Sequence, residues 1–514
     1  MKAGRFHAFC LSLAFSLLAG CASLPSLEGR SASSALSDTA STELGLAITP
    51  LVAEHPGKSG VYALADGHDA FAARAVLANT AQRSLDVQYY IWRNDITGVL
   101  LFDALRAAAD RGVRVRLLLD DNNTAGLDPA LALLDAHPNI EVRLFNPFVM
   151  RGARLLGFLG DFGRLNRRMH NKSFTADGQA TIVGGRNIGD EYFGAAGEVL
   201  FADLDVVAIG PIVPLVARDF DRYWNSGSAY PLHLIAQPTT SESAEEAKRA
   251  AAAIAQAPAA KAYQLAIRDL PFMAALANRS LPLEWAATRL VSDDPAKALD
   301  KAPPESRVVP QLQHLFGEPT RDFTLVSPYF VPGEDVTKVF STWARRGVHV
   351  QVLTNSLEAT DVAAVHAGYA KWREPLLEAG VKLYELRRAW PVETGKKRSG
   401  PMGSAASSLH AKTFAVDGGR VFVGSFNFDP RSARLNTEMG LVIDSPALAG
   451  QLASTLADRL PERAYEVHLA ADGSLFWIER KPGPVVRYDT EPHVGFWRRL
   501  SVRLLSWLPI DWLL

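Results

Sequence analysis

A polar motif occurs twice in this 514-residue chain with the same internal spacing. The first copy is His170-Asn-Lys172-Ser-Phe-Thr-Ala-Asp177, followed by Gly184-Gly185-Arg186-Asn187. The second is His410-Ala-Lys412-Thr-Phe-Ala-Val-Asp417, followed by Gly424-Ser425-Phe426-Asn427. Both read H-x-K-x4-D-x6-G-[GS]-x-N and lie 240 residues apart. At this composition H-x-K-x4-D alone arises at about one start in 20,000, and the added Gly and Asn lower that to roughly one in ten million. A second repeat runs nearly in register. The strand SLDVQYYIW (84–92), helix GVLLFDALRAAADRG (98–112) and strand VRVRLLLDD (113–121) return as FTLVSPYFV (323–331), EDVTKVFSTWARRG (334–347) and VHVQVLTNS (348–356). Strand, helix, strand at this spacing predicts a βαβ unit and a parallel sheet. A repeat of this period predicts two homologous halves. The expected fold is α/β: two lobes, each a mixed sheet flanked by helices, related by a pseudo-twofold and sharing one active site.

The motif chemistry follows from strand geometry. In H-x-K on a strand both side chains leave the same face, so His170 stands beside Lys172 and His410 beside Lys412. The following strand brings Asn187 and Asn427 alongside, and Gly184 and Gly424 permit close backbone approach. Two imidazoles between two ammoniums and two amides suit a tetrahedral anion, most naturally a phosphodiester. One imidazole can attack phosphorus while the other protonates the leaving oxygen. No His, Asp or Glu cluster has metal-ligand spacing, so neither metal nor cofactor is expected.

Outside the repeats, the first 20 residues read as a signal peptide. Lys2 and Arg5 precede a short apolar run, Ala8 to Leu18, and Leu18-Ala19-Gly20-Cys21 resembles a bacterial lipobox. Cys21 is then the lipidation site, and the only other cysteine, Cys10, leaves with the signal. The expected location is the cell envelope, lipid-anchored and facing the periplasm, with inner and outer membrane both open. Residues 21–58 read as a tether, 59–237 as the first lobe, 238–310 as a helical connection with little chemistry, 311–480 as the second lobe and 481–514 as an amphipathic C-terminal segment.

The duplicated motif is the signature of the phospholipase D superfamily, and the chain resembles its cardiolipin synthase branch. GGRNIGDEYFG (184–194), DLDVVAIGP (203–211), TDVAAVHAGYAKWREPLLEAGVKLYEL (360–386) and the tail 491–514 carry the likeness. The resemblance implies a metal-independent, two-step transfer through a phosphohistidine, with His170 as nucleophile and His410 as general acid. It implies an acidic residue 28 positions after the motif histidine, which is Glu438 for His410 and is expected to orient that imidazole. Extra residues around 194–200 move the first-half counterpart to Asp203, with Asp205 as the alternative. Asp177 and Asp417 are expected to support the motif structurally. Gly185 stands where many members have Ser, which removes a hydroxyl that Ser425 retains, and both positions are expected to face the substrate. Phosphatidyl transfer that makes cardiolipin from phosphatidylglycerol and a second phospholipid is the leading function. Hydrolysis by the same first half-reaction is the alternative.

Partners are then anionic and zwitterionic phospholipids and the membrane surface. A net charge of −1 and no basic excess argue against nucleic acid, and with it against a nucleic-acid phosphodiesterase. Residues 147–169 combine apolar residues with five arginines and one aspartate, and Arg387, Arg388, Lys396, Lys397 and Arg398 form a second basic stretch. Both read either as solvated loops or as a basic, apolar rim for lipid heads, with Arg168 as a substrate contact. His366, in the synthase-like segment, is a further candidate contact. The Trp- and Leu-rich C-terminus reads as a docked or an interfacial helix.

Overall fold

The computed structural model describes residues 23–195, 202–388, 409–480, 485–509 and 511–514. Nine strands precede the second βαβ unit: β1 (Ser59–Leu64), β2 (Ser84–Ile91), β3 (Arg114–Asn123), β4 (Ile140–Phe145), β5 (Ser173–Ala176), β6 (Ala180–Gly184), β7 (Asp205–Ile209), β8 (Ala229–Pro231) and β9 (Glu284–Ser292). Nine follow: β10 (Asp322–Val326), β11 (His349–Asn355), β12 (Lys382–Leu386), β13 (Thr413–Val416), β14 (Arg420–Gly424), β15 (Met439–Asp444), β16 (Ala464–Leu469), β17 (Leu475–Glu479) and β18 (Val486–Tyr488). In the first sheet the order is β1-β7-β6-β5-β2-β3-β4-β8, with β2, β3 and β4 parallel and the rest antiparallel. The second repeats it as β15-β14-β13-β10-β11-β12-β16 and continues into β17 and β18.

The central strands are apolar on both sides because both sides are covered. Val115, Leu117 and Leu119 of β3 join Leu85 and Val87 of β2 in one core, while Leu118 packs behind the sheet with Phe220 and Trp224. The crossover helix Ile96–Asp110 starts at Asp95, whose side chain accepts the Gly98 N–H. It ends at Gly112, which is left-handed at φ 93°, and Gly347 closes the equivalent helix at φ 90°. That conformation favours glycine. It is the physical reason for the repeated Arg-Gly-Val.

The motif aspartates sit in the β5–β6 and β13–β14 turns at φ 51° and 52°. Asp177 accepts backbone N–H groups from Gln82, Arg83 and Ser84 at 3.0, 2.7 and 2.9 Å. Asp417 does the same for Thr320, Arg321 and Asp322. Each carboxylate thus fastens the motif hairpin to the start of β2 or β10.

Three segments differ from expectation. Residues 30–53 are not a free tether. Arg30 donates to the carbonyls of Asn225, Ser226 and Ala229, Ser31 and Ser33 accept from Arg143 and Arg116, and helix Glu43–Ala53 follows. Buried β-strand arginines supply donors that nearby backbone satisfies. The 238–310 connection begins as helices Ser241–Gln256, Pro258–Arg268 and Pro271–Ala277 and ends in short helical turns, Pro295–Leu299 and Pro304–Ser306. Between them lies β9, whose residues 284–286 pair with β1 and residues 287–292 with β15, so one strand passes from the first sheet to the second. The C-terminal segment adds β18 to the second sheet and packs Val494 and Val502 against Leu357 and Ala367. The signal peptide with Cys10 and Cys21, most of the insertion near 194–200, and Lys396, Lys397 and Arg398 lie outside the described residues. Among the described residues no helix is long and apolar enough to cross a membrane.

Replacing Asp177 by Ala removes three charge-assisted bonds and places a Cβ-bearing residue without a local acceptor at positive φ. Asp177→Ala is expected to cost roughly 2–4 kcal/mol of stability. Denaturant midpoints at constant m-value check this; a shift below about 0.5 kcal/mol would exclude the fastening role.

Candidate active site

The motif strands bring the two halves together at their histidines. Met169 bridges Thr437 and Leu409 bridges Ala202, so the residue before each histidine pairs with the residue before a carboxylate of the opposite lobe. The His170 N–H donates to the Thr437 carbonyl at 2.8 Å, and the His410 N–H to the Ala202 carbonyl at 2.9 Å. The side chains then pair across the boundary: His170 Nδ1 lies 2.8 Å from Glu438 Oε2 and His410 Nδ1 lies 2.5 Å from Asp203 Oδ2. This corrects the expected pairing of Glu438 with His410. Spacing along the chain finds the carboxylate but not its partner, because the pair forms between lobes. Asp203 is the first-half carboxylate. Asp205 instead pairs with Arg74 and Arg186 inside the lobe.

A carboxylate at Nδ1 favours the tautomer that presents Nε2, and at His410 the Lys412 ammonium also lies 2.9 Å from Nδ1. Tyr90 packs edge-on against His170 at 5.0 Å and Tyr192 against His410 at 5.1 Å. Neither tyrosine belongs to the motif; only the edge-on geometry identifies them. A third, Tyr329, donates its hydroxyl to Asp361 at 2.8 Å.

The supports of the two carboxylates differ. Glu438 Oε2 accepts the Ser425 hydroxyl at 2.5 Å, and the Glu438 N–H donates to Asp293 Oδ2 at 2.8 Å. Asp293 is itself paired with buried Lys297, so the connection between lobes holds a site residue, contrary to expectation. Asp203 accepts the Leu204 N–H at 2.8 Å. A Cβ on Gly185 would stand 2.2 Å from Asp203 Oδ1. Gly185 is therefore the space that Asp203 occupies. It is not a lost substrate contact.

The charges are unequal. Burial, then Lys172 and Lys412, hold the His170 imidazole well below its usual pKa. Burial lifts Glu438 to about 7 against the pull of Lys172 and Ser425. Burial and Lys412 lower His410 to about 4, opposed by Asp203. Burial would raise Asp203, but His410, Lys412 and Arg186 outweigh it and hold that carboxyl well below the usual range. Lys172 falls to about 7 and Lys412 to about 8, chiefly from burial. Both ammoniums lie against their own motif, Lys172 Nζ donating to the His170 carbonyl at 2.5 Å and Lys412 Nζ to that of His410.

The other candidates separate. Asn427 Oδ1 is buried with no hydrogen-bond partner among the described residues. Asn187 Oδ1 accepts from Ile91 N at 3.2 Å, and Nδ2 gives one of its two hydrogens to the Tyr192 hydroxyl at 3.0 Å, which positions Tyr192 and leaves the second hydrogen for an anion. Ser425 likewise serves Glu438. Arg168, taken as a substrate contact, is buried with Nε on the Leu165 carbonyl at 2.8 Å and Nη1 3.3 Å from Asp120. His366 is buried beside Arg373 and Glu491, at 2.8 and 3.4 Å, in a network that holds the C-terminal segment. Its place in that network corrects the expected substrate role.

Similarity agrees with this geometry. The family described as "Cardiolipin synthase, PLD-like domain" matches twice, over residues 76–224 and 312–460. The chain is a member of the cardiolipin synthase, phospholipase D-like family. Cardiolipin synthase C of Escherichia coli (strain K12) is 50% identical over 471 residues, covering 92% of this chain and 99% of that one. A cardiolipin synthase of Geobacillus thermodenitrificans (strain NG80-2) is 28% identical, covering 76% of this chain and 64% of its own. The crystal structure of a phosphatidylserine synthase from Haemophilus influenzae Rd KW20 shares the fold, with TM-score 0.51 at 14% identity over 79% of this chain and 87% of that one. In this cardiolipin synthase family member the two matched stretches are the two lobes that meet at the crossed pairs.

Two outcomes are expected. Gly185→Ala should displace Asp203 and lower turnover by about 10²-fold or more with little change in Tm, a loss within the usual range for an acid–base group. Unchanged kcat would remove Asp203 from the mechanism. Both lysines discharge as pH rises through about 7 to 8. Affinity for inorganic phosphate or tungstate should therefore fall with rising pH, by up to about tenfold per unit for each lysine. A bound anion raises the lysine pKa in turn, so binding above neutral pH takes up protons. Competitive inhibition at several pH values tests the sign.

Proposed function

We propose that the chain transfers a phosphatidyl group through a phosphohistidine on His170, making cardiolipin from phosphatidylglycerol and a second phospholipid. The observation that supports the division of roles is the inequality of the crossed pairs. Neutral His170, its Nδ1 proton shared with a weakly acidic Glu438, keeps the Nε2 lone pair for phosphorus. His410 faces a firmly ionised Asp203, which favours imidazolium once a phosphodiester offsets the two lysines.

In the first step His170 Nε2 forms a bond to phosphorus as the bond to the departing headgroup oxygen breaks. His410 gives that oxygen its proton. Lys172, Lys412 and Asn427 meet the charge on the equatorial oxygens. In the second step neutral His410 takes the proton of the acceptor hydroxyl, whose oxygen attacks phosphorus and releases His170. Water in place of that alcohol would give hydrolysis. Names of relatives support the synthetic outcome: cardiolipin synthase C covers nearly its whole length with this chain. Anchoring through Cys21 would keep the enzyme at the membrane where both lipids lie.

Enzyme quenched after mixing with phosphatidylglycerol labelled in its phosphate should carry an acid-labile, base-stable label that maps to the peptide of His170. Label confined to His410 would reverse the roles. Mass spectrometry of the products from defined lipids should show cardiolipin; phosphatidic acid alone would make the chain a hydrolase.

A further inference from the structure

The stretch 147–169 is inverted relative to an ordinary surface helix. Its arginines face the protein. Arg151 pairs with Asp121 and Asp128. Arg154 donates to the Asp121 carbonyl at 2.6 Å, and Arg164 to Asn146 Oδ1 and the Pro147 carbonyl at 2.5 and 2.9 Å. Arg167 lies 2.9 Å from Asp300. Arg168 is buried on Asp120. The expected open basic rim is thus absent here, because the guanidiniums are packed against neighbouring carboxylates and carbonyls, with Arg154 Nε, Arg164 Nη2 and Arg168 Nη2 buried and left without a partner among the described residues. What helix Arg154–Leu165 turns outward is Leu155 at 84% exposure, Leu156, Leu159 at 78% and Phe162, with Val149 and Met150 before it. A water-facing helix shows the opposite arrangement.

A second apolar surface lies in the C-terminal segment. In helix Phe496–Leu505 and the turn after it, Trp497 is 78% exposed and Trp507 70%, with Phe496, Leu504, Leu508 and Trp512 also outward. Arg498 and Arg499 bond inward to the carbonyls of Thr360 and Val494. One residue ties both surfaces to the site. Arg431 donates Nε to the Leu513 carbonyl at 2.9 Å, and Nη1 and Nη2 to the carbonyl and Oδ1 of Asn166 at 3.0 and 2.6 Å. Asn166 caps the inverted helix, and Arg431 lies between Asn427 and Glu438 in the chain.

We infer that helix Arg154–Leu165 and the Trp-rich C-terminal segment form a two-part collar that inserts into the hydrocarbon edge of a phospholipid bilayer and sets the active-site rim on it. The occupant is the acyl region and not anionic headgroups, because the arginines are engaged and the outward groups are leucine, phenylalanine and tryptophan. Arg431 bonds to the C-cap of the first surface and to the end of the second, and it follows Asn427 by four residues, so both surfaces share one anchor with the site. The choice of a bilayer rests on the lipid-processing reading of the site.

The test uses the full chain with Cys10 and Cys21 replaced by Ser, carrying a single polarity-sensitive label through Leu159→Cys, Trp507→Cys or, as control, Lys248→Cys. Lys248 is half exposed on helix Ser241–Gln256. With phosphatidylcholine vesicles, the labels at 159 and 507 should shift to the blue. Nitroxides on the acyl chains should quench them at least about threefold more than the label at 248, and 1 M NaCl should change little. Quenching at 159 and 507 no stronger than at 248 overturns the proposal. So does binding that needs phosphatidylglycerol and is lost in salt. A blue shift without vesicles that disappears on dilution would assign the collar to a second copy of the chain. Activity toward a monomeric short-chain phospholipid, measured on the same labelled chains, reports separately on the catalytic reading.

Discussion

Glu438 and Asp203 each reach the histidine of the opposite half, so neither lobe contains a complete acid–base unit. Backbone bridges beside the four residues hold the crossing in register, and the side chains close at 2.8 and 2.5 Å. Buried carboxylate–imidazole pairs are costly to desolvate and tolerate little misplacement. Docking of the lobes is therefore part of building the site, and the surrounding residues act largely by keeping it in place.

The pseudo-symmetry of the fold stops at the electrostatics. One carboxylate is lifted to about 7 and the other is held well below the ordinary range. Local causes are visible. Glu438 rests on Ser425 and on a neighbouring acid, Asp293, whereas Asp203 faces His410, Lys412 and Arg186. At the first half, glycine replaces the serine and the acid fills the space. Gene duplication supplies two like halves; these few substitutions make their chemistry unlike.

The motif spacing and the repeated Arg-Gly-Val are enough to give two lobes and to set each histidine beside its lysine, because those depend on local strand and turn geometry, whereas the structural role of Asp177 and Asp417 comes only from the family resemblance. Partner choice was not legible. Nothing in a 28-residue interval distinguishes a contact within a lobe from one between lobes. Composition also misled at 147–169: five arginines look like an open basic surface until Asp120, Asp121 and Asp128, far away in sequence, are brought beneath them. Likewise Ser425 belongs to the motif, yet its hydroxyl is engaged by Glu438. Strand β9 escaped notice because its partners, β1 and β15, come from opposite halves.

That strand also marks where the lobes are joined. Residues 284–286 pair with β1 and residues 287–292 with β15, so each sheet holds its own part of the strand and the chain passes between them at Ala286 and Ala287. Parting the lobes like a clamshell leaves both ladders of β9 in place but breaks the crossed pairs and the bridges beside the histidines. Any such opening takes both acid–base units apart, so the chemistry belongs to the closed arrangement of the lobes.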